Sequence, residues 1–159
     1  MYFTHLDSPL GPVLVAGDGA GLRFVSFQRS EAATRPAPDW VEAPEKFREA
    51  CRQLRAYFAG ELTAFDLPLS PQGTPFQRQV WRALCEIPYG EAVSYAEVAR
   101  RIGRPTAARA VGSANRSNPL AVVVPCHRVI GSSGDLVGYA GGLEVKRFLL
   151  RLERAKAVA

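Results

Sequence analysis

Pro125-Cys126-His127-Arg128-Val129 closes the apolar run Leu120 to Val124. The cysteine stands between a proline, which fixes its own φ, and a histidine. Thiolate, not thiol, is the nucleophile, and cationic or histidine neighbours lower a cysteine's pKa. His127 and Arg128 therefore mark Cys126 as a reactive thiol of lowered pKa. Neighbouring residues of an extended chain point to opposite sides, so the Cys126 thiol and the His127 ring are not expected to touch directly. Most free cysteines are packing residues, and that reading is given to Cys51 and Cys85. Cys51 falls on the helical stripe Phe47, Ala50, Leu54, Tyr57 and Phe58, and Cys85 sits beside the stripe Phe76, Val80, Leu84 and Ile87.

Upstream of the cysteine, Asn118-Pro119 is a turn signal. Before it, Ser94 with Glu97 three residues on predicts a capped helix running to about Ile102. Gly103-Arg104-Pro105 then turns, and Thr106 is expected to cap a second helix from Ala107 to about Asn115. Helix, short glycine-containing turn, helix is the helix-turn-helix pattern. Arg100, Arg101, Arg104, Arg109 and Arg116 cluster around it, although a solvated basic face would look the same. Ala107, Ala108, Ala110, Gly112, Ser113 and Ala114 leave the second helix bare of bulk, so it can approach a backbone closely. Generic helix-turn-helix geometry would place it in a major groove. Downstream, Val129 to Tyr139 passes through Gly131-Ser132-Ser133-Gly134-Asp135 and reads as a hairpin or wing. A last helix carries Leu143, Phe148, Leu149 and Leu152, with Glu153 near its end.

The first part of the chain has a different texture. Tyr2 to Asp7, Pro12 to Ala16 and Leu22 to Phe27 are short runs of β-branched and aromatic residues punctuated by Gly and Pro, the pattern of antiparallel strands. Ser30 to Asp39 is loop-like, a helix spans about Phe47 to Phe58 and ends at Gly60, and Phe65 to Leu69 is a candidate strand. Ser70 to Gly73 is a linker, after which Thr74 and Pro75 open a helix as N-cap and first helical residue. The expected fold is α+β: a small sheet-plus-helix lobe, 1–70, followed by a mostly helical lobe, 74–156.

Composition supports that division. Of 159 residues 47% are apolar, enough for one domain or two small lobes. Residues 1–74 carry seven Lys/Arg and nine Asp/Glu, a net of −2; residues 75–159 carry thirteen and six, a net of +7, and the two make the overall +5. A basic half beside a slightly acidic one points to a polyanion for the second lobe. No stretch is long and apolar enough to span a membrane, and Met1 to Asp7 has no signal-peptide character. Three widely spaced cysteines make no disulfide framework, and a reactive thiol suits a reducing cytoplasm. His5, Cys51 and Cys85 form no CxxC or HxxxH pairing, so no metal and no cofactor are expected.

These residues closely resemble the 6-O-alkylguanine-DNA alkyltransferases, which repair alkylated guanine by taking the alkyl group onto their own cysteine. The match runs from about Phe76 through Tyr95, Arg109, Asn118, Cys126, the Gly138-Tyr139-Ala140-Gly141-Gly142 stretch and Glu153; the first 70 or so residues match only in pattern. The resemblance implies a ribonuclease H-like first lobe and a winged helix-turn-helix-like second lobe that docks in the minor groove. It implies that a monomer meets double-stranded DNA with an alkylated guanine, without a membrane. Cys126 would take a methyl or larger alkyl group from the 6-oxygen of guanine, once per molecule, with the 4-oxygen of thymine as a further source. His127 would relay the proton through a water and Glu153 would orient His127. Tyr95 would help swing out the nucleotide and protonate the leaving guanine. Arg109 would fill the gap in the stack, with Ser94, Ala107, Arg104 and Arg116 on the DNA. Asn118 would be a hinge, and Val129, Tyr139, Ala140 and Lys146 would line the pocket. Ala140 and Ala121 stand where the mammalian form has a serine and a proline, which implies a roomier pocket.

Three other readings use the same residues. A non-catalytic, alkyltransferase-like lesion binder lacks the cysteine that Cys126 supplies here. A cysteine hydrolase would need a second pocket histidine. A fused transcription regulator would bring extra zinc-binding cysteines and a second DNA-binding module.

Overall fold

Alternation of side chains builds the first sheet. The computed structural model describes residues 1–134, 136, 139 and 141–157. Strands Tyr2–Ser8 (β1), Gly11–Asp18 (β2) and Gly21–Phe27 (β3) form an antiparallel meander, with Leu6 opposite Val13 and Val13 opposite Phe27. A two-residue strand, Val41–Glu42 (β4), which sequence alone did not predict, pairs parallel with β1 and gives the order β3-β2-β1-β4. Val13, Leu14, Val15 and Ala16 are all fully buried, so both faces of β2 are covered. On one face sits helix Arg48–Phe58 (α1), whose Leu54 and Tyr57 belong to the same core as Leu6, Val13 and Val15. The loop through residues 30–40 folds back on β3. There the Thr34 N–H donates to Ser26 Oγ at 2.9 Å, and Trp40 stacks on Phe24 at 5.7 Å.

The expected strand over Phe65 to Leu69 is reduced to one parallel bridge, Leu69 with Leu22. Pro68 has no N–H for a ladder. The Asp66 backbone is taken by the Gln53 amide, which accepts from Asp66 N at 2.9 Å and donates to Asp66 O at 3.0 Å.

The second half opens with helix Pro75–Cys85 (α2). Thr74 Oγ1 accepts from Gln77 N at 3.1 Å while Gln77 Oε1 accepts from Thr74 N at 2.9 Å, a complete capping box. Val80, Trp81, Leu84 and, beyond the helix, Ile87 are buried. Cys85, expected to pack, is exposed; one step past Leu84 turns it off the buried stripe. After strand Val93–Ser94 (β5), Ser94 Oγ accepts from Glu97 N at 3.0 Å and starts helix Tyr95–Arg101 (α3). The capping box is only half formed there, because the Glu97 carboxylate bonds Arg100 and Arg101 instead. The next helix is Ala108–Arg116 (α4). Its N-cap is Ala107, with no side-chain cap, and not Thr106: Ala107 N–H already bonds Arg104 O at 2.9 Å, so the turn runs straight into the helix.

The run Leu120 to Val124 is not a strand. Leu120 makes one bridge to Val25, and the chain then coils through two turns of three residues each. Val123 N bonds Ala121 O at 2.8 Å across Val122, and Cys126 N bonds Val124 O at 2.8 Å across Pro125. Val122 has φ 71°, a left-handed conformation that costs a β-branched residue about 1–3 kcal/mol. Cys126–Arg128 form a 3-10 turn, which corrects the expectation of an extended chain there.

Strand Val129–Ile130 (β6) pairs parallel with β5, Val93 opposite Val129, rather than folding into a hairpin. Asp135, Val137 and Gly138 of the expected wing, and Ala140 of the expected pocket, lie outside the described residues. Helix Leu143–Ala157 (α5) finishes the fold. Its buried positions are Lys146, Leu149, Leu150 and Glu153, so two charged residues occupy the inward stripe. Leu143, expected on that stripe, is 44% exposed. A single apolar cluster runs from Leu6 through Tyr57 and Val111 to Leu149, so both halves share one core.

Candidate active site

Cys126 is buried, 6% exposed, at the start of the 3-10 turn. The loop that delivers it is stapled by Asn118. Its Nδ2 donates to Val124 O at 2.8 Å, and its Oδ1 accepts from Leu120 N at 2.9 Å. The Asn115 amide donates to Cys126 O at 3.3 Å from α4. These bonds hold Val122 in its strained conformation and fix the thiol between α4 and α5.

The same turn aims His127 the other way, at α5. His127 Nε2 lies 2.7 Å from Glu153 Oε2, and both side chains are essentially inaccessible. His127 Nδ1 is buried with no hydrogen-bond partner among the described residues, so the ring does not bond the thiol directly. Glu153 is not a helix-end surface glutamate. Its carboxylate accepts from Arg128 Nε at 2.8 Å, Arg128 Nη2 at 3.0 Å and the Tyr57 hydroxyl at 2.6 Å, with Gly90 N at 3.4 Å. Arg128 also donates to Ile87 O at 2.7 Å and lies over the Tyr89 ring. Gly90 is there because the site is crowded: at φ 84°, a Cβ would come within 2.5 Å of the Ala157 methyl.

Burial decides the electrostatics. The Cys126 thiol is pushed up to about 11 by desolvation, against smaller downward pulls from the Asn118 amide and the Lys146 ammonium. This reverses the expectation of a lowered pKa, because Arg128 is spent on Glu153 and His127 is uncharged. Desolvation lowers His127 below the usual histidine value, against the pull of Glu153. Burial would raise Glu153, but donation from His127, Arg128 and Tyr57 prevails and holds it at about 2. The resting site is therefore a neutral thiol, a neutral imidazole and a carboxylate whose charge Arg128 balances. Nε2–H donates to Glu153, and Nδ1 keeps a lone pair free to take a proton.

Lys146 is fully buried and donates from Nζ to Val129 O at 2.6 Å; desolvation brings it down to about 8, with Cys126 pulling upward. Tyr139 is buried, and its hydroxyl has no partner among the described residues. Tyr95, at the start of α3, is half-buried, with desolvation and then Cys126 raising its pKa. Ala121 and Asn118 line a cavity of about 210 Å³ with Arg116, Phe27 and Gly141, at the junction of the two halves.

The remaining predicted residues share the outer face of α3 and α4. Arg109 and Arg116 are exposed, Arg104 is exposed above the Phe76 ring, and Ala107 and Ser94 are half-buried. Trp81 Nε1 donates to Ala114 O at 2.9 Å and fixes α4 to α2. Gly112 faces the Tyr95 ring, 3.8 Å from where its Cβ would be, an ordinary van der Waals distance. Sequence reasoning missed Tyr57, Arg128 as the partner of Glu153, and Asn115. An arginine adjoining the Cys-His pair was the one available signal; nothing local pointed to Tyr57.

Residues 75–155 match the DNA-binding domain of 6-O-methylguanine DNA methyltransferase, and residues 1–71 match its ribonuclease-like domain. The chain belongs to the 6-O-methylguanine DNA methyltransferase family. The methylated-DNA–protein-cysteine methyltransferase of Methanosarcina acetivorans is 57% identical over 153 residues, covering 96% of this chain and 98% of that protein. The Mycobacterium tuberculosis protein of the same name is 51% identical over 160 residues, covering 100% and 96%. Among solved structures of the family, M. tuberculosis OGT in complex with DNA superposes with a TM-score of 0.92 at 50% identity, covering 98% of this chain and 94% of that one. Among the described residues no helix is long and apolar enough to cross a membrane, and no three His, Cys, Asp or Glu side chains are grouped to hold a metal.

Proposed function

We propose that this protein repairs DNA by moving a methyl or larger alkyl group from the 6-oxygen of guanine to Cys126, once per molecule. The observation that carries the reading is the buried Cys126 beside a neutral His127 whose far nitrogen is held by Glu153. The Cys126 proton passes through a water to His127 Nδ1. Sγ attacks the alkyl carbon, an S–C bond forms as the C–O bond breaks, and the guanine is protonated as it leaves. The phenol of Tyr95 supplies that proton. The thioether has no easy reversal.

The alkyl carbon lies on a base edge inside the duplex, so the nucleotide must be extruded. The basic face of α3 and α4 docks on double-stranded DNA, with Arg104, Arg116, Ser94 and Ala107 at the backbone and Arg109 in the vacated stack. Val129, Tyr139 and Lys146 bound the pocket, and Ala121 widens it toward larger alkyl groups. Residues 1–70 support the site and 74–156 carry it; the spans of the two family models support that division. The protein acts as a monomer.

Intact-mass analysis after mixing with a methylguanine duplex is expected to show one added methyl, located on the peptide containing Cys126. Cys126→Ala should lose transfer and keep DNA binding. Repeated turnover, or a label on Cys51 or Cys85, overturns the reading. Binding of the lesion with no mass gain would instead indicate a lesion binder.

A further inference from the structure

Tyr57 lies on α1, in the half of the chain that takes no part in the chemistry above. It is fully buried, and its ring is wedged against Phe58, Phe65 and Tyr89 at 5.6, 5.5 and 6.3 Å. Its hydroxyl donates to Glu153 Oε2 at 2.6 Å, the same oxygen that faces His127 Nε2 at 2.7 Å. We propose that Tyr57 is a positioning residue for alkyl transfer: by sharing the Glu153 oxygen it sets the base strength of His127, and so the first lobe tunes the reaction of the second. This rests on His127 serving as the base for Cys126.

Glu153 Oε2 accepts from three donors, Tyr57, His127 and Arg128 Nη2. Each donor draws negative charge from that oxygen and weakens its hold on the others. A protonated His127 is stabilised by the charge left over. Tyr57 therefore keeps His127 a weaker base than a Glu153–His127 pair alone would. The phenol remains a donor throughout, because burial and then Glu153 drive its pKa upward. With Tyr57 fully buried and Glu153 1% exposed, no bulk solvent replaces it. The other groups that bear on His127 are Glu153 and Lys146 from α5 and Cys126 and Arg128 from its own turn. Tyr139 and Tyr89 stand behind these, acting on Cys126, Glu153 and Arg128. Among these groups Tyr57 alone comes from the first lobe.

A tyrosine that merely joined the lobes would, on losing its hydroxyl, lower activity equally at every pH. The discriminating measurement is the rate of Cys126 alkylation by a methylguanine duplex between about pH 5 and about pH 8, where histidine titrates. Tyr57→Phe keeps the packed ring and removes the donor. Its acid limb should move to higher pH by roughly half a unit or more, so that transfer at the acid end slows about threefold while the neutral plateau stays within about twofold. Replacing Tyr57 with 3-fluorotyrosine, a stronger donor of nearly the same size, should move the limb the opposite way. The His127 ring titration followed by NMR should shift upward in Tyr57→Phe whether or not alkyl transfer occurs. Coincident limbs with coincident ring titrations, or a loss uniform in pH, overturn the inference. A wild type that transfers nothing while its ring titration still shifts would fault the proposed function and leave the role of Tyr57 standing.

Discussion

The basic face of α3 and α4 and the buried cluster around Glu153 are built on opposite principles. On α3 and α4 each arginine stands in solvent, and its partners, where present, lie three or four residues away, as Glu97 does for Arg100 and Arg101. Exposed pairs of this kind contribute at most about 1 kcal/mol, so they are readily exchanged for other partners. At Glu153, on α5, the partners come from α1, the turn before β5 and the turn before β6, up to 96 residues apart. There every side-chain donor, from Tyr57, His127 and Arg128, is buried, and each bond relies on the others. Under the proposed function, sequence-tolerant binding needs replaceable contacts, and activation of a thiol with a raised pKa needs fixed ones.

That contrast predicts unequal responses to mutation. The largest belongs to Glu153. Glu153→Ala leaves Arg128 buried without its carboxylate, and removing one member of a buried pair costs about 3–5 kcal/mol. The denaturation midpoint at neutral pH should fall accordingly. The wild type should also show an acid-sensitive contribution. Glu153 titrates at about 2 in the fold against an ordinary 4.5, so its share of stability is complete above that ordinary value and is lost as pH falls toward 2. That share is about 3 kcal/mol. A midpoint in Glu153→Gln that falls with acid as steeply as in wild type would assign the acid sensitivity elsewhere.

Arg109→Ala touches the other region. Repair of duplex DNA should slow by about ten- to a hundredfold, because extrusion costs a few kcal/mol that the arginine offsets in part. Stability should stay within about 0.5 kcal/mol, as at other exposed positions. Reaction with free alkylated guanine, which needs no extrusion, should be nearly unchanged; equal losses on both substrates would mean that Arg109 supports the pocket. The smallest effect separates two threonines of the same half. Thr74→Ala should cost about 1 kcal/mol through its lost cap, whereas Thr106→Ala should shift the thermal midpoint hardly at all. Equal losses would mean that Thr106 caps α4 after all.

The sequence by itself determined what depends on neighbours along the chain. It set the three strands of the meander, the capped start of α2 at Thr74, the helix-turn-helix, the basic second half and the Cys126-His127 pair, to which only the family resemblance added Glu153. These follow from periodicity, from capping side chains within three residues, and from a motif whose residues adjoin. The strand signal failed where a distant group claimed the backbone, as Gln53 does at Asp66, and the cap signal of Thr106 failed to a nearer one, the Arg104 carbonyl that already holds the Ala107 N–H. Only the tertiary structure decided that Cys126 rests as a protonated thiol, that Arg128 serves Glu153 rather than the sulfur, and that Tyr57 reaches the relay from the other lobe. Burial sets all three, through desolvation of charges and the need of buried polar groups for partners, and burial depends on how segments far apart in the chain come together.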